Sequence, residues 1–317
     1  MLDSEGERST KMTESSGPMI TAIIPAYNEE KAIGRIVEDV KRYVQDVVVV
    51  DDGSSDATRD VALSAGATVL RHQKNLGYGS ALATGFAHFK NNGAGIMVVL
   101  DGDGQHDPSE IPRLIKPLLD GQADIVVGSR FMDGEKEACI PRYRKFGIGI
   151  VNRAWNFASG EERTDTQCGF RAYSRDAINK IDIHQQNMSA SLEILDQASQ
   201  NGLRVIEVPV TVMYGGDTSS VGPGRHGLEL VNYVLKKLRE EHPLLIFGGM
   251  GVIMIILGLA FGIAALNTYL SNHHLPFGPT IIAAVMTYLG TLMVFGGLIL
   301  NAIQSLASRV RDSSREH

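Results

Sequence analysis

Asp101 and Asp103 stand one residue apart in Asp101-Gly102-Asp103-Gly104-Gln105-His106-Asp107-Pro108, directly after a short apolar run, Ile96–Leu100. Two carboxylates at that spacing can grip a hard divalent cation and leave positions open for phosphate oxygens. Gln105 could add a neutral oxygen to the set. A diphosphate leaving group needs such a cation to neutralise the charge it develops. The segment starts like an EF-hand calcium loop, but its sixth position is His106 where glycine is required and its twelfth is Pro112 where glutamate is required. The remaining alternative is an acidic surface turn. A second acidic stretch, Asp51-Asp52-Gly53-Ser54-Ser55-Asp56, follows Val47–Val50. Gly53 suits a tight turn and Ser55 or Asp56 a helix cap. Two adjacent aspartates exceed what a turn needs, and an aspartate there can accept hydrogen bonds from a nucleobase N–H or a ribose hydroxyl. Basic residues follow later, at Arg130 and in Pro141-Arg142-Tyr143-Arg144-Lys145. Paired arginines hold a phosphate through bidentate bonds and permanent charge. A solvated or lipid-facing basic loop is the other reading of that cluster.

These residues need elements to carry them. Short β-branched runs at 20–24, 47–50, 68–70, 96–100 and 125–127 alternate with helix-length stretches at 30–44, 57–65, 80–90 and 109–119. Continuous apolar strands separated by helices predict an α/β domain with a mostly parallel sheet covered on both faces. Ligands of such sheets bind at the carboxyl ends of the strands, where both acidic stretches fall. There is no GxGxxG after the first strand, and Gly77-Tyr78-Gly79 follows the third, so a dinucleotide fold is not expected. Between 131 and 201 the pattern is less regular, with one helix expected over 147–159. A further strand is expected over 205–212, then a glycine-rich loop, 215–227.

The last quarter differs. Residues 226–242 read as an amphipathic helix, packed on the globular domain or lying on a membrane surface. Leu244–Leu266 and Thr280–Ile303 carry no charge and are long enough to cross about 30 Å of hydrocarbon. Lys236, Lys237 and Arg239 precede the first run, Arg309 and Arg311 follow the second, and the loop between has no Lys or Arg. The positive-inside rule then puts the globular domain in the cytoplasm. Gly258 and Gly262 in the first run, and Gly296–Gly297 in the second, permit close helix contact, either as ordinary glycine use or as a route to a homo-oligomer. The expected organisation is a disordered tail at 1–18, a catalytic domain at 19–225, a juxtamembrane helix at 226–243, two spans within 244–303 and a tail at 304–317. The 317 residues carry a formal charge of −6 without a dominant basic patch, so no nucleic-acid partner is expected. Two cysteines, Cys139 and Cys168, do not make a disulfide framework. No apolar signal segment opens the sequence.

Five segments, PAYNEE, VVVVDDGSSDAT, NLGYGSALATG, VVLDGDGQHDP and VVGSRF, occur in that order. Together they resemble family 2 glycosyltransferases, and among them the dolichyl-phosphate mannose or glucose synthases and their bacterial polyprenyl-phosphate relatives. The resemblance spans about Ile20 to Val212. It implies a GT-A fold and a DxD cation site for Mg2+ or Mn2+, with a nucleoside-diphosphate sugar (UDP or GDP) as donor. The implied acceptor is a polyprenyl or dolichyl phosphate in the bilayer, and the lipid-linked sugar would supply glycosylation. It implies that Pro25, Tyr27, Glu29 and Asp52 hold the nucleoside, that Asp101, Gly102 and Asp103 touch the sugar nucleotide, and that Asp101, Asp103 and Gln105 ligate the metal. Arg130 matches an arginine near the reacting phosphates and Arg144 one that receives the lipid phosphate, with Arg142 as the alternative. Asp165, in Asp165-Thr166-Gln167-Cys168-Gly169-Phe170-Arg171, matches an acceptor-side segment, where it would orient the arginines or act as a base. Glu193 is a similar candidate. A lipid phosphate is already anionic and needs no base, so a single in-line displacement with inversion is expected. Two rivals are transfer to a glycolipid or glycan hydroxyl, with Asp165 or Glu193 as base, and an inactive membrane scaffold. The loop from Gly215 to Arg225 lacks the Ser-Lys that mannose synthases often carry, with Arg225 a possible substitute, and this leaves the sugar open.

Overall fold

The structure, a computed structural model, describes residues 17–133, 142–213 and 223–313. Most of the 1–18 tail and the 215–222 part of the glycine-rich loop lie outside the described residues. Seven strands form one sheet: β1 (Ile20–Ala26), β2 (Asp46–Asp51), β3 (Thr68–Arg71), β4 (Ile96–Val99), β5 (Ile125–Ser129), β6 (Arg171–Ser174) and β7 (Val205–Pro209). Their order is β3-β2-β1-β4-β6-β5-β7. The expected parallel core is present, with Ile23 opposite Val48 and Val99. The exception is β6, which runs antiparallel between β4 and β5 and lies where no strand was expected. The strand expected over 205–212 stops at Pro209. Beyond it the chain crosses to β4's end, where Val212 bridges His106.

The helices are α1 (Ile33–Val40), α2 (Thr58–Ser64), α3 (Tyr78–Asn91), α4 (Ile111–Leu119), α5 (Arg142–Ser159), α6 (Arg175–Lys180), α7 (Ala190–Gln200), α8 (Pro223–Glu241), α9 (Gly249–Asn272) and α10 (Phe277–Ser313). The helix expected over 30–44 contracts to α1, because Glu29 and Glu30 are bound into a turn: the Glu29 carbonyl accepts from Ala32 and Ile33. Both α6 and α7 are additions to the expected order. Ile20, Ala22, Ile24, Val47, Val49, Val98 and Val126 bury one sheet face against Ile33, Val37 and Leu114. Each such side chain withdrawn from water stabilises the fold by roughly 1.5–3 kcal/mol.

The chain divides into two compact units: 143–163 with 223 onward, and the remaining described residues, which hold the sheet. In the smaller unit, Leu244–Asn272 and Phe277–Leu306 are two helices long and apolar enough to cross a membrane, and most of their side chains are exposed. The first opens with a π-helical turn, Leu244–Gly248. Gly258 faces α10, where an added Cβ would stand 2.5 Å from Thr287 Oγ1 and 3.0 Å from the Ala283 carbonyl. The close approach that this glycine permits is therefore used between two helices of one chain.

Candidate active site

The loops after β1 and β2 are laced together. Asn28 takes the left-handed conformation (φ 58°), which asparagine tolerates better than most residues. Its N–H donates to Ser54 Oγ at 2.9 Å and its Oδ1 accepts from the Ser55 N–H at 2.8 Å. The Glu29 N–H donates to Thr58 Oγ1 at 2.7 Å, and the Glu30 carboxylate accepts from the Ala57 N–H at 3.0 Å. Pro25 is buried at the end of β1, and Tyr27 and Glu29 are half-buried just beyond it.

Both aspartates after β2 are turned into the protein. Asp51 accepts from the Ser54 N–H and pairs with Arg71 at 3.1 Å. Asp52 accepts from the Leu76 N–H (2.9 Å), the Gly77 N–H (2.8 Å) and His72 Nδ1 (2.7 Å). The second ring nitrogen of His72 meets Thr84 Oγ1 at 2.9 Å. Asp52 therefore clamps the turn that starts α3. That turn needs Gly77: its φ is 96°, and a Cβ there would stand 2.3 Å from the Gln186 carbonyl.

The turn after β4 is tied from below and above. The Gly102 N–H donates to the Pro25 carbonyl at 3.2 Å, and Asp103 Oδ1 accepts from the Gln105 N–H at 2.9 Å. The Gln105 carbonyl accepts from the Met213 N–H. His106 is buried, stacks on Phe170 at 5.1 Å and accepts the Asp101 N–H at Nδ1. Burial pushes its pKa down to about 4, so it is a neutral ring that shapes the turn.

Burial raises the acidic residues, and neighbouring carboxylates raise Glu29 and Asp103 further. Burial, then Asp103, Asp56 and Asp101, push Glu29 up to about 7. Burial pushes Asp101 up to about 6, against the opposing pull of Arg130, Arg171 and a hydrogen bond from Tyr78. Asp103 is raised by burial and then by Asp101. One oxygen of Asp101, Oδ1, is shut from water without a hydrogen-bond partner. Buried polar atoms in folded proteins are almost always satisfied, so an orphaned carboxylate oxygen inside an acidic cluster fits a cation ligand. Among the described residues, no group of three or more His, Cys, Asp or Glu is arranged around a common point for a metal ion.

Arg130 follows β5 and is locked by Asp165: Nε donates to Oδ2 at 2.6 Å and Nη2 to Oδ1 at 2.8 Å. Asp165 is fully buried and also accepts the Arg130 and Gln167 N–H groups. Its own N–H and that of Thr164 donate to Glu207. Asp165 is thus paired with Arg130 through both carboxylate oxygens. Glu193 accepts the N–H groups of His184 and Gln185, which sets a backbone loop. Arg142 and Arg144 begin α5; the division between the two units falls after Arg142, so Arg144 belongs to the other unit. The structure links Glu29, Asp101, Asp103, Arg130 and Asp165 in a chain, with Asp101 and Asp103 acting on Glu29, Arg130 acting on Asp101, and Asp165 paired with Arg130. It adds Tyr78, His106 and Arg171, each of which stands inside one of the motif segments without having been singled out from the sequence.

Residues 21–182 match the model of glycosyl transferase family 2, described as Glycosyl transferase family 2. UDP-N-acetylglucosamine–dolichyl-phosphate N-acetylglucosaminyltransferase of Methanococcus voltae is 31% identical over 62% of this chain and 86% of its own length. Undecaprenyl-phosphate mannosyltransferase of Micrococcus luteus is 32% identical over 61% of this chain and 82% of its own. Glucosyl-3-phosphoglycerate synthase from Mycobacterium tuberculosis, crystallised with Mn2+, uridine-diphosphate and phosphoglyceric acid, superposes with a TM-score of 0.55 at 21% identity, covering 70% of this chain and 78% of that one. Its likeness establishes the fold, GT-A. An acidic pair at the end of β4, an arginine pinned after β5 and these matches converge: the chain belongs to glycosyl transferase family 2 and is a glycosyltransferase.

Proposed function

We propose that the chain is an inverting, metal-dependent hexosyltransferase that moves a sugar from a UDP- or GDP-linked donor to a polyprenyl or dolichyl phosphate at the cytoplasmic membrane face. The observation that carries this reading is the Asp101 carboxylate, with its buried, unpartnered Oδ1 beside Asp103 at the end of β4. Asp101 and Asp103, with Gln105 as a further oxygen donor, are the residues that would hold Mg2+ or Mn2+. When bound, the ion supplies charge neutralisation for the departing diphosphate.

The chain's own residues do the rest. Pro25, Tyr27 and Glu29 line the nucleoside side, and Asp52 serves by fixing the Leu76–Gly77 wall. Gly102 keeps the chain close to the sugar. Arg130, oriented by Asp165, receives phosphate charge, and Arg142 or Arg144 is the residue proposed to receive the lipid phosphate. The acceptor's phosphate oxygen bonds to the anomeric carbon as the bond to the diphosphate breaks, so an α-linked donor gives a β-linked product. An ionised phosphate needs no base. Asp165, with both oxygens committed to Arg130, suits that acceptor better than a sugar hydroxyl. Relatives named for dolichyl and undecaprenyl phosphate support the same class, and the two apolar helices support the membrane setting. The basic residues flanking these helices favour a cytoplasmic catalytic domain.

The test incubates the detergent-solubilised chain with polyprenyl phosphate, Mg2+ or Mn2+, and a panel of UDP- and GDP-sugars. Lipid-linked sugar is expected from at least one donor, and its absence from all of them defeats the reading. Asp103→Ala is expected to reduce transfer by about a hundredfold or more, as loss of one charge-stabilising group at a reacting centre does. Undiminished transfer would remove Asp103 from the cation site.

A further inference from the structure

The Asp101 carboxylate lies where a side chain on a neighbouring segment would collide with it. A Cβ added at Gly169 would stand 2.7 Å from both carboxylate oxygens and 3.0 Å from Cγ. Gly169 is outside the left-handed region, so space and not backbone conformation demands the glycine here. The segment is also prevented from moving back. Arg171 is 2% exposed; its Nε donates to the Cys168 carbonyl at 2.8 Å, its Nη2 to the Thr166 carbonyl at 2.8 Å, and its Nη1 to the Ser191 carbonyl at 2.9 Å. The Phe170 carbonyl accepts from the Gly128 N–H at 2.8 Å, joining the segment to β5. Phe170 in turn stacks on His106, which accepts the Asp101 N–H. The main chain and side chain of Asp101 are thus set against one braced segment. Burying a guanidinium is costly, and besides the carbonyls Arg171 has a hydrogen bond with Tyr173 and the charge of Asp101 to offset it.

We infer that Thr166–Arg171 is a positioning wall for the acidic pair, in which Gly169 admits the Asp101 carboxylate and Arg171 holds that glycine at its distance. Neither residue touches the reacting atoms. The inference rests on the reading of Asp101 as a cation ligand.

The test uses the full chain in detergent, with Mn2+ alone as the probe. Free Mn2+ is read by electron paramagnetic resonance, and thermal unfolding is followed in parallel. Gly169→Ala is expected to weaken Mn2+ binding about tenfold or more, the scale on which residues that orient metal ligands act. It is also expected to lower the melting temperature in the wild-type background but not in Asp101→Ala, where the colliding carboxylate is gone. Arg171→Gln is expected to weaken Mn2+ binding in the same direction. Unchanged Mn2+ affinity in Gly169→Ala, or an equal loss of melting temperature in both backgrounds, overturns the inference. Should Gly169→Ala fail to fold, a folded Asp101→Ala/Gly169→Ala double variant supports it and an unfolded one overturns it. Wild-type Mn2+ affinity in Asp101→Ala is a separate outcome that defeats the cation-site reading itself.

Discussion

At the scale of single residues, most charges of this site are answered within the chain. Arg130 meets Asp165 through paired hydrogen bonds, and Asp51 Oδ2, though without a hydrogen bond, has the Arg71 guanidinium at 3.1 Å, while Asp101 Oδ1 is buried without a hydrogen-bond partner inside the acidic cluster. Cys168 shows the opposite case, a reactive type made inert by its surroundings. Burial, with Asp165 close by, pushes its thiol up to about 12. Thiolates are the nucleophiles, so a maleimide or iodoacetamide is expected to leave Cys168 unmodified at pH 8 in a Cys139→Ser variant and to label it fully in SDS. Native labelling at the denatured rate would show the thiol to be accessible. The same shift has a sign for stability. The unfolded thiol ionises near 9 and the folded one near 12, so this group's contribution is intact below pH 9 and is lost as pH rises through that window. Urea midpoints for Cys168→Ala are expected to fall less between pH 9 and pH 11 than those of the parent.

At the scale of elements, the sheet supplies strand ends and the loops supply geometry. Asp52 shows the coupling, since its carboxylate accepts two N–H groups at the start of α3 and meets His72 just after β3. Asp52→Ala leaves two backbone amides and an imidazole without their acceptor. An unsatisfied buried group costs about 1–3 kcal/mol, so a loss of about 3 kcal/mol or more in urea unfolding is expected, with weaker donor binding. Asp52→Asn retains one acceptor oxygen and should lose less. A fully stable Asp52→Ala would mean that the α3 turn holds itself. The parallel half of the sheet was legible because Val47–Val50 and Ile96–Val99 are unbroken apolar runs, and the acidic pair was legible because its spacing is chemistry in itself. β6 was not, for Arg171-Ala172-Tyr173-Ser174 has no apolar run. Its arginine is buried where the carbonyls of Thr166, Cys168 and Ser191 turn toward it. Gly169 was illegible for a related reason: its role is an empty volume, visible only once Asp101 is placed in space. The partners of Asp52 were hidden likewise, because a carboxylate after a strand looks the same in sequence whether it faces a ligand or its own loop.

At the scale of the whole molecule, the sheet unit carries the acidic pair and Arg130, while the helical unit carries the two apolar helices, α9 and α10, and the basic start of α5. That division suits the proposed pairing of a water-soluble nucleotide donor with a membrane-borne acceptor. It also makes helix pairing separable from chemistry in an experiment. In lipid, helices associate by close packing, because burying apolar surface gains little there. Gly258 is one point of close approach, beside the Gly251–Gly290 contact, with Thr287 and Ala283 of α10 occupying the space a side chain would need, whereas nothing lies within 4 Å of a Cβ added at Gly296. Gly258→Leu is therefore expected to force the two helices apart, at the roughly 1–3 kcal/mol that overpacking costs. The detergent-solubilised chain should aggregate at a lower temperature and expose α10 to protease sooner. Gly296→Leu should leave both measures near the parent. If the two substitutions do equal damage, the helices do not pair through Gly258. If only Gly296→Leu does damage, the open glycine face is the one in use, and a second copy of the chain becomes the partner to look for by crosslinking at Phe295 and Ile299, both exposed on α10.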